Sequence, residues 1–366
     1  MIRPDYDNSI LSIPNSLLKY YGATPHHATL PLLDGLLAKD YRNVVLLVMD
    51  GMGVNVLNRN LPKDAFLHRQ LRQQISSVYP CTTTAAITSI LSGKTPMEHG
   101  WIGYSNYFRE ADQCIDLFSN RESGTKNAAS GEHLPNRLLA YEDIFTQLGD
   151  RVKTYAVSPF SEYAANTMEE VCGHIEVLCR QRHKKFIYAY HYQPDYDMHD
   201  YGVSASEIQR RMVDYNRRLD GLAASLKDTL LLITADHGMT DIHMQCVEDT
   251  PEISQALVRH ICMEPRCCSL YVKKECKADF KQRFLRAFGD EFLLVPHDEF
   301  LQSGLMGSGI PHPKVPDFVG DFVAIAVSHT ALWYRDVDGE CNDFHGAHAG
   351  LTTEEMMVPL LVVEKE

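Results

Sequence analysis

The sequence predicts an α/β fold of three layers, αβα, in which a mostly parallel sheet has helices on both faces and carries an inserted cap. Two apolar runs, 42–50 and 228–236, are rich in β-branched or leucine side chains and end in an aspartate. Such runs are typical of strands covered on both faces. Segments with helical spacing lie between the apolar runs, and this alternation predicts parallel strands whose ligands gather beyond their carboxyl ends.

Further segments complete the predicted core. Apolar runs indicate strands at 152–157 and 185–190 and a closing strand at 356–363. The spacing of apolar residues indicates helices at 84–91, 142–148, 168–182 and 204–226.

The length of 366 residues is compatible with one large α/β domain that carries insertions. We expect an α/β core of residues 1–239 and 345–366. Residues 240–344 are richer in Pro, Gly and Cys and predict an inserted cap with its clearest helix at 277–288. A polar stretch near 101–135 predicts loops or a small hairpin over the site.

Composition excludes several classes of protein. The 35 basic and 48 acidic residues give a net charge of −13, the wrong sign for binding nucleic acid polymers over the surface. No stretch approaches the roughly 20 apolar residues of a membrane span, so we expect no membrane partner.

The amino terminus lacks the apolar segment of a secretory signal, which favours a cytoplasmic location. The ten cysteines include no Cys-x-x-Cys pair, and we expect free thiols rather than a disulfide framework.

The first two candidate functional residues lie early in the chain. Asp50 ends the first predicted strand, and a buried carboxylate there needs a cation or a hydrogen-bond cage. A capping aspartate before a glycine turn explains it equally well. Thr83 lies where a turn at 79–84 leads into a helix, so its hydroxyl would face backbone N–H groups that favour an alkoxide and a phosphate. Taken alone, this threonine is better explained as a helix N-cap.

Possible metal ligands follow two later strands. Asp195 and His199 lie four residues apart in a predicted loop, 191–202, and their carboxylate and imidazole suit zinc. Asp197 and His191 are nearby alternatives. Asp236 ends the run 228–236 and His237 follows it directly, and the turn at Gly238 can aim both side chains at one ion.

His348 is the last candidate and lies in a turn of small residues shortly before the closing strand. An ordinary surface loop explains it equally well. The set as a whole is harder to attribute to chance because its members follow one another at predicted strand ends.

The order of these residues resembles the alkaline phosphatase superfamily over nearly the whole chain. The resembling features are the aspartate after the first strand, the threonine at a helix start, the Asp and His four apart, Asp-His-Gly, and a final His before the last strand. The segments 79–93, 99–100 and 194–202 resemble its nucleotide pyrophosphatase/phosphodiesterase branch.

This resemblance implies a hydrolase with two divalent metal ions, most simply zinc, and a small phosphorylated substrate such as a nucleotide. It implies that Thr83 is the nucleophile that forms a phospho-threonine intermediate, with Thr82 as the fallback. It assigns the ligands of one metal to Asp195, His199 and His348. It assigns those of the other to Asp50, Asp236 and His237, with Thr83 directed towards it.

The chain also departs from the family pattern. The diesterase branch has an asparagine three residues after its nucleophile, where this chain has Ala86. The nucleophile segment lacks the arginine of classical monoesterases, and the sulfatase pattern is absent, since Cys81 is followed by three threonines and an alanine. The alternatives are therefore a phosphomonoesterase or phosphonate hydrolase on the same site, or a metal-binding protein without turnover.

Overall fold

The structure is a computed structural model that describes residues 1–125, 127–129 and 131–366. Its α-helices are α1 (Ser12–Tyr20), α2 (Pro31–Leu37), α3 (Val54–Asn60), α4 (Phe66–Gln70), α5 (Thr83–Ser92), α6 (Pro96–His99), α7 (Leu134–Leu138), α8 (Ile144–Leu148), α9 (Met168–Cys179), α10 (Asp195–Tyr201), α11 (Ser206–Ser225), α12 (Pro251–Ser254), α13 (Lys277–Phe288), α14 (His297–Gln302), α15 (Val315–Phe318) and α16 (Thr353–Met356). Its strands are β1 (Asn43–Met49), β2 (Leu71–Ser76), β3 (Ser105–Phe108), β4 (Gln113–Asp116), β5 (Arg121–Glu122), β6 (Lys153–Val157), β7 (Lys185–His191), β8 (Thr229–Thr234), β9 (Thr240–Asp241), β10 (His243–Cys246), β11 (Cys262–Glu264), β12 (Cys267–Leu270), β13 (Phe292–Pro296), β14 (Phe322–Ala326), β15 (Thr330–Trp333), β16 (Gly346–Ala347) and β17 (Met357–Lys365).

The central sheet has six strands in the order β2-β17-β8-β1-β7-β6. The four strands β8, β1, β7 and β6 run parallel, whereas β17 is antiparallel to both of its neighbours. Every residue of β1 and β8 is buried, as expected for strands covered on both faces. The predicted α/β fold with a mostly parallel sheet is confirmed.

Helices bury apolar faces against this sheet. Helix α9 contacts β6 and β7, helices α3 and α4 contact β17, and α11 packs across α3, α4 and α9. The buried residues of α11 recur every three or four positions, from Ile208 and Met212 to Leu219 and Leu222, which gives the helix one apolar face. A second group, in which α1 contacts α2, α5 and α8, contributes to the same core.

A second sheet lies beside the central one and is antiparallel throughout. Its seven strands have the order β13-β14-β12-β11-β3-β4-β5. The first four come from the segment predicted as a cap, 240–344, and the last three from the insertion predicted near 101–135. The two groups of strands are joined where β11 pairs with β3, through Met263 and Ser105. The two insertions therefore form one hydrogen-bonded layer, while the domain boundaries given above stay a prediction.

The predicted loop at 191–202 is wrong for residues Asp195–Tyr201, which form α10. Pro194 occupies the N-cap position, and Asp195 and Asp197 lie in the first turn, where carboxylates interact favourably with the helix dipole. On a helix, a spacing of four places Asp195 and His199 on the same face.

The expectation of free thiols is wrong for Cys246 and Cys341, which form a disulfide across 95 residues of sequence. Cys246 ends β10, and Cys341 is bridged to Arg335 just after β15, the parallel partner of β10. Cysteines so far apart leave no spacing signature in the sequence. The eight remaining cysteines are free.

Among the described residues, no helix combines the length and apolar character that crossing a bilayer requires.

A buried ion pair joins the second sheet to the chain segment before β17. Arg266 Nε and Nη2 donate to Glu355 Oε1 and Oε2 at 2.6 and 2.7 Å, and both side chains are fully buried. The guanidinium also donates to the carbonyls of Thr330 and Ser328, at 2.9 and 2.8 Å. Glu355 accepts in addition from the backbone N–H of Gly350, at 2.7 Å. The pair therefore fixes the turn that follows His348.

Replacing Glu355→Gln keeps the shape but removes the charge, and leaves a buried guanidinium without its counter-ion. We expect the free energy of unfolding to fall by about 3–5 kcal/mol in urea denaturation. The neighbouring Glu354→Gln is the control, because Glu354 pairs with Arg59 where both side chains are partly exposed, and it should cost under about 1 kcal/mol. Equal losses in the two variants would contradict a structural role of the buried pair.

Candidate metal centre

Three adjacent strands of the central sheet end at the same edge, and the candidate residues follow them. In the parallel register Val48 lies beside Thr234, so Asp50 and Asp236 extend from neighbouring strand ends. Helix α10 begins shortly after β7, on the other side of β1, and the Asp195 N–H donates to the Asp50 carbonyl at 3.1 Å. The positions of the three carboxylates therefore follow directly from the strand order β8-β1-β7.

Thr83 is the first residue of α5, and its hydroxyl faces two of these carboxylate-bearing loops. Its Oγ1 lies 3.4 Å from both carboxylate oxygens of Asp50 and 3.2 Å from His237 Nε2. His237 Nε2 lies in turn 3.4 Å from Asp50 Oδ1 and 3.4 Å from Asp236 Oδ2. One hydroxyl, two carboxylates and an imidazole thus converge.

Asp195, His199 and His348 lie close together beside His237. His199 Nε2 is 3.4 Å from Asp195 Oδ2, and His348 Nε2 is 3.8 Å from Asp195 Oδ1. The ring of His348 lies 3.9 Å from that of His237 and 5.3 Å from that of His199, between centroids. The structure therefore brings all seven candidate side chains into one cluster.

The donor atoms form two compact groups whose members lie within 4.8 Å of one another. One group consists of Asp50, Asp236 and His237, and the other of Asp195, His237 and His348. His237 belongs to both. His199 lies just outside the second compact group, although it contacts Asp195.

Backbone carbonyls fix the protonation of two of these histidines. His237 Nδ1 lies 2.9 Å from the Gly238 carbonyl, and His199 Nδ1 lies 2.8 Å from the Gly346 carbonyl. Because a carbonyl oxygen only accepts, Nδ1 carries the proton in both rings. Nε2 therefore presents a lone pair to the cluster, as a metal-ligating histidine does.

The cluster concentrates three largely buried carboxylates, Asp50, Asp195 and Asp236. Burial, together with the charges of Asp236 and Asp195, raises the pKa of Asp50, and burial also raises the pKa of Asp236. Burial opposes ionisation of Asp195, but His199 and the other two imidazoles lower its pKa overall. Asp195 Oδ1 and Asp236 Oδ2 are buried and accept no hydrogen bond from the described residues. Free carboxylate oxygens and imidazole lone pairs around one point fit divalent cations.

The alternatives left open by the sequence lie outside the cluster. His191 Nε2 hydrogen-bonds the Tyr215 hydroxyl at 2.9 Å. Asp197 forms an ion pair with Arg211. The hydroxyl of Thr82, the fallback nucleophile, donates to Glu264 Oε1 at 2.6 Å and so points away from Asp50 and His237.

Two site residues were not identified from the sequence. The Tyr190 hydroxyl donates a hydrogen bond to Asp50 Oδ2. Tyr190 lies within the strand run at 185–190, where nothing separates it from a packing residue. Glu264 comes from the second sheet, where it is 3 % exposed, and burial raises its pKa to about 7. No sequence signal connects Glu264 to Thr82, because the two are 182 residues apart.

Gly51 makes the close approach of α10 possible. Its φ of +70° favours glycine, and a Cβ at this position would lie 2.9 Å from Asp195 Cβ. The glycine after Asp50 is therefore required both by its own backbone conformation and by the position of Asp195.

A cavity of about 540 Å³ opens from the cluster towards the second sheet. Asp50, Thr83, Asp195, His199 and His348 form its inner end. The volume is that of a site for a small organic molecule.

Comparison with known proteins places the chain among phosphoester hydrolases. The family model for type I phosphodiesterase / nucleotide pyrophosphatase matches residues 44–172 and 120–349. A search of curated proteins finds no match. Murine ectonucleotide pyrophosphatase / phosphodiesterase 5, inactive through replacement of a threonine by alanine and in complex with AMP, has the same fold with a TM-score of 0.62 at 15% identity, over 87% of each chain.

Two further solved structures share the fold. Phosphonoacetate hydrolase from Sinorhizobium meliloti 1021, in complex with phosphonoformate, gives a TM-score of 0.63 at 17% identity, over 89% of this chain and 91% of that chain. Human ectonucleotide pyrophosphatase / phosphodiesterase 5 gives 0.64 at 14% identity, over 87% of each chain.

Two aspartates of α10 provide a matched test of the metal centre. We expect Asp195→Asn to lose at least half of the bound metal, because its charge contributes to one donor group. Asp197→Asn should keep the metal, because Asp197 pairs with Arg211 outside the cluster. Metal per chain is measured by plasma mass spectrometry after loading with zinc and gel filtration. Equal metal content in the two variants would contradict this assignment of ligands.

Proposed function

The chain belongs to the type I phosphodiesterase / nucleotide pyrophosphatase family, and on that premise we propose that it hydrolyses phosphodiester or pyrophosphate bonds of small molecules such as nucleotides, with Thr83 as nucleophile. The observation that carries the proposal is the position of Thr83 Oγ1, 3.2 Å from His237 Nε2 and 3.4 Å from both Asp50 oxygens. This hydroxyl begins a helix and faces both donor-rich loops. Such an arrangement suits an activated nucleophile.

We propose that the site binds two divalent cations and assign their ligands according to the pattern of the family. Asp50, Asp236 and His237 would hold one, and Asp195, His199 and His348 the other. Mixed carboxylate and imidazole donors favour zinc over calcium or magnesium, which prefer oxygen ligands. When bound, the two ions supply charge stabilisation for the attacking and leaving oxygens of an in-line displacement.

The chain's own residues then perform two displacements. Thr83 Oγ1, after losing its proton, attacks phosphorus, and the bond from phosphorus to the leaving oxygen breaks. A water molecule next attacks the phosphorus of the phospho-threonine, and the bond from phosphorus to Thr83 Oγ1 breaks. The phosphate product leaves with the oxygen of the water, and a proton from the water returns to Thr83 Oγ1. The ligands Asp50 and His237 orient Thr83, while Tyr190 holds Asp50 by donating to its Oδ2.

The first turn of α5 is positioned to hold the phosphoryl oxygens. The first backbone hydrogen bond of the helix runs from Ala86 N–H to the Thr82 carbonyl, so the preceding N–H groups have no partner within the helix. Thr82 does not cap them with its side chain, because its hydroxyl donates to Glu264. These N–H groups and the helix dipole can stabilise negative charge on the transferring group. They compensate in part for the asparagine that Ala86 replaces.

A second candidate function is hydrolysis of phosphonates or phosphomonoesters. Two observations favour it: the fold is shared with phosphonoacetate hydrolase, and position 86 is an alanine where the diesterase branch has an asparagine. A metal-binding protein without turnover is the remaining alternative.

The cytoplasmic location stays a prediction, and the Cys246–Cys341 disulfide is more typical of an oxidising compartment.

We expect Thr83→Ala to lower kcat for a p-nitrophenyl phosphodiester by about 10³-fold or more, because it removes the attacking oxygen. The bound metal should be retained, since the carboxylate and imidazole ligands remain. Steady-state rates and metal content are measured on the same sample.

Thr82→Ala is the adjacent control and should keep a substantial fraction of activity, because its hydroxyl points to Glu264. Loss of turnover in Thr82→Ala with normal turnover in Thr83→Ala would move the nucleophile to Thr82. Unchanged rates in both variants would refute a threonine nucleophile.

Substrate preference separates the candidate functions. With zinc bound, we expect bis(p-nitrophenyl) phosphate to have a higher kcat/KM than p-nitrophenyl phosphate, and chelation with EDTA to abolish both activities. Phosphonoacetate cleavage is followed by phosphate release. Faster turnover of the monoester or the phosphonate would favour the second candidate, and the absence of any zinc-dependent turnover would favour an inactive binding protein.

A further inference from the structure

Two cysteines and two basic side chains gather in the second sheet, apart from the metal ligands. We name this group the thiol cluster and define it as Cys114, Arg259, His260 and Cys262. Cys114 lies in β4 and Cys262 in β11, whereas Arg259 and His260 come just before β11. The residues that line the cavity of the metal centre include none of the four. The thiol cluster is therefore separate from the site of the proposed reaction.

The two thiols of the cluster are in contact with each other. Cys114 Sγ lies 3.1 Å from Cys262 Sγ, although the two residues are 148 positions apart in sequence. Both side chains are buried, with 3 % and 0 % of their surface exposed, and both thiols are free. The sulfur atoms of a disulfide are about 2.05 Å apart, so bond formation requires an approach of about 1 Å. The pair is therefore close enough for its two sulfur atoms to react with each other.

The surroundings favour a thiolate on Cys114 rather than on Cys262. The hydrogen bond between the two sulfur atoms lowers the pKa of Cys114 against the effect of burial, and His260 and Arg259 lower it further. Burial raises the pKa of Cys262, so the proton stays on that sulfur. Arg259 Nε and His260 Nε2 are buried and have no hydrogen-bond partner among the described residues. Basic groups beside a cysteine promote the thiolate, which is its reactive form.

Arg259 lies at the outer side of the cluster. Its guanidinium carbon lies 3.5 Å from the centroid of the Tyr107 ring, and its Nη1 lies 3.2 Å from Asp112 Oδ1. The Arg259 side chain is 21 % exposed, and Cys114 keeps 3 % of its own surface in contact with solvent. The pair is therefore close beneath the surface, within reach of a small uncharged oxidant such as a hydroperoxide.

The pair lies where the two insertions meet. Strand β3 lies between β4 and β11 and pairs with both. Four register positions pair β3 with β4, whereas among the described residues a single position, Met263 with Ser105, pairs β11 with β3. Met263 has a φ of +77°, which is uncommon for a residue other than glycine. The connection between the insertions is therefore short and irregular, and a bond from β4 to β11 would span it.

We propose that Cys114 and Cys262 form a second disulfide of this chain, a reversible and peroxide-sensitive bond that joins the two insertions across β3. The oxidant is a hydroperoxide, of which hydrogen peroxide is the simplest, and a dithiol reduces the bond again. The chain already joins two distant cysteines, Cys246 and Cys341, in the same way. The inference goes beyond the proposed function and does not depend on it.

The oxidation takes two steps. The Cys114 thiolate attacks one oxygen of hydrogen peroxide, the O–O bond breaks, and the leaving hydroxide takes up a proton to become water. Cys114 is then a sulfenic acid. The Cys262 sulfur attacks the Cys114 sulfur, the S–O bond breaks, and the departing hydroxide takes the proton of the Cys262 thiol. Two thiols have then lost two electrons to form one disulfide, and one peroxide has become two water molecules.

Peptide mapping tests the cross-link on the unmodified chain. The folded protein is treated with a small excess of hydrogen peroxide, unfolded, alkylated with N-ethylmaleimide and digested. We expect the number of alkylated cysteines to fall from eight to six, with Cys114 and Cys262 in one cross-linked peptide pair. The same peptide pair before treatment would also support the proposal. Two alkylated cysteines at these positions, overoxidation of either without a cross-link, or a bond to another cysteine would overturn it.

Serine variants assign the two steps to the two sulfur atoms. In Cys262→Ser we expect Cys114 to stop at the sulfenic acid and to be labelled by dimedone, whereas in Cys114→Ser the remaining thiol should stay unlabelled. Cys268→Ser is the matched control from β12, because its thiol donates to the carbonyls of Glu264 and Leu332. It should form the cross-link normally. Labelling of Cys262 instead of Cys114 would overturn the order of the steps, and loss of the cross-link in Cys268→Ser would overturn the pairing.

Thermal unfolding tests whether the bond reinforces the connection between the insertions. We expect the cross-linked protein to have a Tm about 5 °C or more above that of the untreated protein, because a bond across 148 residues restricts the unfolded chain. The double variant Cys114→Ser and Cys262→Ser should show no rise under the same treatment. An unchanged or lower Tm of the cross-linked protein, or an equal rise in the double variant, would overturn the reinforcing effect.

Discussion

The structure depends on one costly feature, the burial of Asp50, Asp195 and Asp236 at the ends of neighbouring strands. The carboxylates repel one another, and burial raises the pKa of two of them. No described lysine or arginine forms an ion pair with any of the three. Hydrogen bonds from Gly51 N–H and the Tyr190 hydroxyl compensate only part of the cost. The buried oxygens Asp195 Oδ1 and Asp236 Oδ2, which accept no hydrogen bond from the described residues, need a proton or a cation, and they meet at the candidate metal centre.

Sequence reasoning predicted the parts of the fold that depend on local patterns. The apolar runs at 42–50, 185–190 and 228–236 became adjacent strands, because continuous burial on both faces leaves a signature in each strand by itself. The ends of these strands then placed the candidate aspartates. Features that depend on pairing between distant segments could not be predicted from the sequence. The Cys246–Cys341 disulfide and the Met263–Ser105 bridge each join segments that carry no mark of their partners.

The candidate site shows the same division. Asp236 and His237 are adjacent in sequence and follow a clear strand, so their proximity needed no knowledge of the fold. Glu264 lies near Thr82 only because two insertions form one sheet. The helix at 195–201 was missed because its polar, tyrosine-rich sequence is too short for an apolar period, although Pro194 and the acidic first turn are both start signals.

The two sheets contribute different parts of one cavity. The central sheet fixes the donor atoms through backbone geometry, from the strand register to the carbonyls that set the tautomers of His237 and His199. The second sheet contributes side chains that face the same cavity, and the buried pair Arg266–Glu355 couples it to the turn after His348. Substitutions in the insertions can therefore change the wall of the cavity while the strand ends and the donor atoms keep their positions. The walls of such a cavity can vary while its donor atoms stay fixed, because the buried carboxylates and these walls belong to different layers.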